Sequence, residues 1–167
     1  MRKIAPAFLF AVVLAACSQD RNPVAPAGAS GPSTAAATAA TIDPSVAPGG
    51  REFSTTLTGA AEVPGPGDPD GSGTAQITLN PGAGEVCFRL EVTGIEPATA
   101  AHIHVGTVTE AGPVVRGLTA PTTGSSEGCV PADRDLIMAI IQNPENYYVN
   151  VHNSPFPAGA LRGQLSK

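Results

Sequence analysis

At 167 residues the chain has room for one domain besides any processing segment. Apart from Arg2 and Lys3, its nine basic residues are scattered singly among 14 acidic ones, which leaves no positive patch to track phosphates and excludes nucleic acid as a partner. An acidic surface does not adhere to anionic lipid either, and with 4% aromatic residues and no tryptophan the core has to be built from Val, Leu, Ile and Ala.

Arg2 and Lys3 open the chain, and Ile4 to Ala16 carries no charge. This is the pattern of an export signal, with an apolar run too short for a mature transmembrane helix. Leu14-Ala15-Ala16-Cys17 resembles the lipobox of bacterial lipoproteins. The resemblance implies a signal peptide over 1–16 and a lipid on Cys17; a plain secretory signal cut near Ala16 is the alternative. Ser18, rather than aspartate, follows the cysteine, so the same resemblance implies the outer membrane in a cell that has one. The expected address is the bacterial cell envelope, with a lipid anchor and the domain in the periplasm or at the cell surface.

From 17 to 52 the composition shifts to Ala, Pro, Ser, Thr and Gly, with no aromatic residue in the segment. Such a segment cannot bury enough surface to offset its ordering entropy and reads as a disordered tether. Loss of Arg2 and Lys3 with the signal leaves seven basic against 14 acidic residues, a net charge of −7. Cys87 and Cys129 then remain as a pair in an exported protein, where a disulfide is the default. Two reactive thiols are the alternative, although neither has a CxxC partner or an adjacent base.

From Phe53 onward short alternating runs are separated by Gly, Pro and Asp. Strands are predicted from Phe53 to near Val63, over 74–79, and over 86–92, where Val86, Phe88, Leu90 and Val92 give the clearest period of two. The Cys87 face of that strand is then an outer one. A strand over 101–105, one over 113–118, a loop over 119–128 and a brief pairing at Cys129-Val130 follow. Leu136, Ile137, Ile140 and Ile141 fall on one helical face, so a helix is predicted near 133–143, capped by Asp133 and ended by Asn143-Pro144. Strands over 147–152 and 160–165 close the domain. Seven or eight short strands predict an all-β, antiparallel, immunoglobulin-like Greek-key sandwich or barrel with one short helix.

Five motifs carry a family resemblance: Leu57-Thr58-Gly59-Ala60-Ala61-Glu62-Val63-Pro64, the run 98–106 around Ala101-His102-Ile103-His104, Gly112-Pro113-Val114-Val115, Tyr147-Tyr148-Val149-Asn150-Val151-His152, and Gly159-Ala160-Leu161-Arg162-Gly163-Gln164-Leu165. In this order they resemble the CHRD domain, the module repeated in the secreted developmental regulator chordin and found singly in many bacterial exported proteins. The resemblance spans 53–167 and implies an immunoglobulin-like β-sandwich or barrel. It implies no established activity, and the cysteine-rich modules associated with growth-factor binding in chordin have no counterpart here.

The candidate chemistry lies in two strands. Alternation turns Ala101, Ile103 and Val105 inward and His102 and His104 outward. In the second strand it turns Tyr147, Val149 and Val151 inward, and Tyr148, Asn150 and His152 outward. If the two strands are neighbours, every imidazole of the chain meets on one polar surface. Three histidines with an open fourth position resemble zinc or copper centres, with Tyr148 and Asn150 as partners behind the ligands. A His-x-His strand in an all-β domain also resembles copper/zinc superoxide dismutases, whose additional ligands have no counterparts here. The alternative is that the three histidines bond neighbouring strands or loop carbonyls and hold the outer face together.

Asp68 and Asp70 lie in a Gly-rich loop that lacks further calcium ligands and reads as a solvated turn. Arg116 and Arg162, each followed by glycine, are expected to form cross-strand ion pairs with Glu85, Glu91 or Glu96. No phosphate loop or dinucleotide fingerprint appears, and no catalytic residue is assigned. The chain reads as a non-enzymatic module that binds or adheres to an envelope protein or an extracellular ligand. A copper- or zinc-binding envelope protein is the alternative.

Overall fold

The computed structural model describes residues 50–167. The expected signal peptide 1–16, Cys17 and the tether up to residue 49 lie outside the described residues. Eight strands follow in order: β1 (Arg51–Thr58), β2 (Ser72–Asn80), β3 (Glu85–Thr93), β4 (Ala98–Val105), β5 (Val114–Leu118), β6 (Ser125–Pro131), β7 (Tyr147–Asn153) and β8 (Leu161–Gln164). One α-helix, α1 (Arg134–Gln142), precedes β7. The strands form one sheet in the order β5-β4-β7-β8-β1-β2-β3-β6, and every pairing is antiparallel. The sheet curls into a nearly closed, barrel-like sandwich, the all-β architecture that the alternation predicts. Among the described residues no helix is long and apolar enough to cross a membrane.

The apolar face of each strand turns into the barrel. Phe53, Ile77 and Phe88 stand side by side across β1, β2 and β3, and all three are buried with Leu57, Leu79, Leu90, Ile103, Val149, Val151 and Leu161. The core is aliphatic because the composition allows little else. Helix α1 adds Ile137 and Ile140 to it. Asp133 occupies the N-cap position with extended backbone, but its side chain makes no capping bond; the Asp133 carbonyl instead accepts the Ile137 N–H at 3.0 Å.

Strand β6 is longer than its sequence suggests. Ser125, Ser126 and Glu127 pair with Glu91, Leu90 and Arg89, although an edge strand written Ser-Ser-Glu-Gly carries no apolar period to announce it. It brings Ser126 to the far end of the curled sheet, where Ser126 Oγ donates to the Thr119 carbonyl at 2.8 Å, just after β5.

Cys87 and Cys129 stand directly opposite each other on β3 and β6 and are joined by a disulfide. The Cys87 side of β3 is the face turned away from Val86, Phe88 and Leu90; there Cys87 is itself fully buried and Cys129 is exposed. The bridge closes a loop of 42 residues and ties the β6 edge to the sheet. In the chain-entropy picture such a closure is worth about 4 kcal/mol. A Cys87→Ala, Cys129→Ala variant is therefore expected to unfold in urea with a free energy lower by about 4 kcal/mol, and added reductant should lower the wild type but leave the variant unmoved.

Candidate metal centre

Strands β4 and β7 are adjacent, and their register decides which side chains meet. Ala101 lies opposite Val151 and Ile103 opposite Val149, all four in the core. On the other face His102 stands opposite Asn150, His104 opposite Tyr148, and Ala100 opposite His152. Strand β8 extends two of these rows, with Arg162 opposite Asn150 and Gln164 opposite Tyr148. This face is turned away from the core but not open to water: His104, Tyr148, Asn150 and Arg162 are buried, and His102 and His152 are partly buried. Three loops supply the cover, contributing Glu62, residues 107–112 and Pro157.

The three imidazoles converge. His102 Nδ1 is 3.2 Å from His152 Nε2, and one ring nitrogen from each of His102, His104 and His152 lies within 4.8 Å of those of the other two. Backbone carbonyls fix two of the tautomers. His104 Nδ1 is 2.9 Å from the Gly112 oxygen, and His152 Nδ1 is 3.2 Å from the Pro157 oxygen. A carbonyl only accepts, so both Nδ1 atoms carry hydrogen and each Nε2 presents its lone pair. His104 Nε2 is buried and has no hydrogen-bond partner. The His102 Nδ1 hydrogen is donated to His152 Nε2, and a ligand entering between them would replace it.

Burial holds all three imidazole pKa values below the ordinary histidine range. Repulsion from His152 and then His104 adds to the effect at His102, that of Arg162 at His104, and that of His104 at His152. The carbonyls of Gly112 and Pro157 oppose it. Neutral rings, the form that coordinates metal, are thus favoured at neutral pH.

Tyr148 buttresses the site. Its ring stacks on His104 with centroids 4.8 Å apart, and its hydroxyl accepts the Gly112 N–H at 3.1 Å, holding the residue whose carbonyl orients His104. Gly112 has to be glycine, because a Cβ there would overlap the Val105 carbonyl. On the other side of the ring the Arg162 guanidinium carbon lies 3.5 Å from its centroid. Arg162 donates to the Glu110 carbonyl at 3.0 Å, to the Thr107 carbonyl at 2.6 Å and to Gln164 Oε1 at 3.3 Å. Gln164 in turn donates to the carbonyls of Gly106, Glu145 and Tyr147.

Several expectations change. Asn150, opposite His102, makes no hydrogen bond to the histidines; its Nδ2 donates to Glu62 Oε2 at 3.1 Å. Neither Arg116 nor Arg162 forms an ion pair with Glu85, Glu91 or Glu96: Arg162 spends its donors on loop carbonyls and Gln164, and Glu91 is paired with Arg89. Among the described residues the ion pair is Arg89 with Glu91 at 3.2 Å. Arg162 is a buried clamp on loop carbonyls, and Arg116, opposite Ile103 on β5, has a buried Nε without a hydrogen-bond partner. Asp68 Oδ1 accepts the Asp70 N–H at 3.2 Å within its own turn. A second cluster of metal-ligating residue types, Glu85 with Cys87 and Cys129, has both sulfurs in the disulfide.

Glu62, Gly112 and Pro157 are the participants that the sequence does not announce. A backbone carbonyl leaves no side-chain signal, and Glu62 lies in a loop rather than in a patterned strand. Its carboxyl is buried against Gly159, where a Cβ would collide with both oxygens. Burial raises its pKa from 4.5 to about 7, against the opposing effects of the Asn150 amide, the Arg162 charge and the Val63 N–H. The unfolded chain loses this proton near pH 4.5 and the folded one near 7, so folding retains a proton across that window and stability falls as pH rises through it. Glu62→Gln should gain on the wild type by up to about 3 kcal/mol between pH 5 and pH 8. Urea unfolding at the two pH values reads this, and parallel pH profiles for the two proteins would refute it.

The model of the CHRD domain family matches residues 53–165. Searches of curated proteins and of solved structures returned no match. The family match spans β1 to β8 and takes in the strands that carry all three histidines and the loops that orient them, and on that ground the chain belongs to the CHRD domain family.

Proposed function

We propose that this protein is an envelope-anchored binding module, lipidated at Cys17, whose His102, His104 and His152 hold a transition-metal ion, copper or zinc. The observation that carries the reading is the pair of carbonyl bonds from Nδ1 of His104 and His152, which turns both Nε2 lone pairs toward the cluster: that of His104 has no hydrogen-bond partner, and that of His152 meets the His102 Nδ1 hydrogen. Carbonyl or carboxylate acceptors behind ligating imidazoles are the usual way of fixing tautomer and ring orientation at metal sites. Tetrahedral coordination at about 2.05 Å places ligand nitrogens roughly 3.3 Å apart, close to the 3.2 Å between His102 Nδ1 and His152 Nε2. The His104 nitrogen has only a short distance to close. An all-imidazole set ranks Cu(II) above Zn(II) and Ni(II).

The module is read as a binder rather than an enzyme. Of its other buried polar groups, Asn150 donates to Glu62 and Arg162 to loop carbonyls, none of them to a histidine. Display on a tether suits metal capture or adhesion at the envelope.

With excess Cu(II) or Zn(II), the full chain purified in detergent should melt higher. At a hundredfold excess over Kd the gain corresponds to about 2.7 kcal/mol, and a His102→Ala, His104→Ala variant should lose it. Equal shifts in the two proteins, or none in either, would remove the metal. For the anchor, radiolabelled palmitate should enter the wild type in a bacterial host and fail to enter Cys17→Ser. Label persisting in that variant would overturn the lipid assignment.

A further inference from the structure

The charges around the three histidines say what the bound ion would take as its remaining ligand. Among the described residues no carboxylate or thiolate joins the cluster, so the protein offers three neutral nitrogens. A buried cation lies close by: Arg162 and His104 both pack against the Tyr148 ring, and the Arg162 charge is felt at His104. Glu62, the carboxylate nearest this layer, is bonded to Asn150 instead of to a histidine. A divalent ion held here keeps its full double charge beside a guanidinium. Its fourth side has access to solvent, since His102 and His152 are only partly buried.

We propose that a divalent ion bound by His102, His104 and His152 keeps one position open to solvent and fills it with a small anion, of the class of hydroxide, azide or a carboxylate. This rests on the metal-binding reading above. The step is a ligand exchange: a metal-bound water leaves as the anion binds, no bond in the protein breaks and no oxidation state changes. An anionic ligand halves the charge that the site has to carry. Tyr148 and the loop carbonyls hold the His104 and His152 rings in place. His104 is held by the Gly112 carbonyl at 2.9 Å and His152 by the Pro157 carbonyl at 3.2 Å, so neither can swing across the open position.

The test is to load the full chain with equimolar Cu(II), remove free metal by gel filtration, and titrate with sodium azide while recording absorption and electron paramagnetic resonance. The expected result is a single azide-to-copper charge-transfer band that saturates at one azide per copper, with a matching change in the copper resonance. A His102→Ala, His104→Ala variant should retain no copper and show no band. Copper that co-elutes with the wild type but ignores azide would overturn the open anion position while leaving the metal site standing. Copper that fails to co-elute would overturn both, and an identical band in the variant would show that the metal sits elsewhere.

Discussion

The pairing of β4 with β7 is the constraint on which the rest of the structure depends. Side chains alternate along a strand, so a slip of one residue would carry His102 and His104 into the barrel and Ala101 and Ile103 out of it. The apolar half of the pattern prevents this. Ala101 against Val151 and Ile103 against Val149 are buried in the core, and exposing them while burying imidazoles would cost several kcal/mol. The core therefore sets the register, and the register sets the meeting of the histidines. No histidine has to contribute to folding for the three rings to converge.

On the far side of the same strands lies a second, polar layer, and Arg162 is its centre. A fully buried guanidinium is tolerated only when its donors are used, and here two loop carbonyls, a glutamine oxygen and the face of Tyr148 receive it. Those carbonyls belong to Thr107 and Glu110, in the loop that also brings Gly112 to His104. Arginine, ring and loop are thus one unit: the guanidinium fixes the loop, the loop presents the carbonyl, and the carbonyl selects the tautomer. Removing the arginine would leave the carbonyls unbonded as well as the ring unsupported, so its role reaches the site without touching it.

Much of this was legible in the sequence, and what was missed has a common cause. Period-two alternation in 86–92, 101–105 and 147–152 gave the strands, their inner faces and the shared surface of His102, His104 and His152. The helix followed from the spacing of Leu136, Ile137, Ile140 and Ile141. Arg162 departs from the expected ion pair because its partners are backbone oxygens of a loop, which leave no mark in the sequence. Asn150 was placed on the right face yet bonds Glu62, because distances along a face are not fixed by parity alone. Strand β6 escaped because Ser125, Ser126 and Glu127 have backbone partners but no apolar side to mark them.

Of the two readings that three clustered histidines allow, structural pegs or metal ligands, the carbonyl bonds alone do not choose, since a peg would make them too. The other nitrogen is what supports the proposed metal reading. A histidine that serves only to hold loops has both nitrogens bonded or turns the second to water. His104 instead keeps Nε2 buried and without a hydrogen-bond partner, which costs on the order of 1–3 kcal/mol. A proton could occupy that lone pair, but burial and the Arg162 charge oppose protonation. A metal ion shared with the two neighbouring nitrogens meets the same obstacle with three bonds rather than one. The site has the character of a ligand set already turned toward its ion and held there by the loops around it.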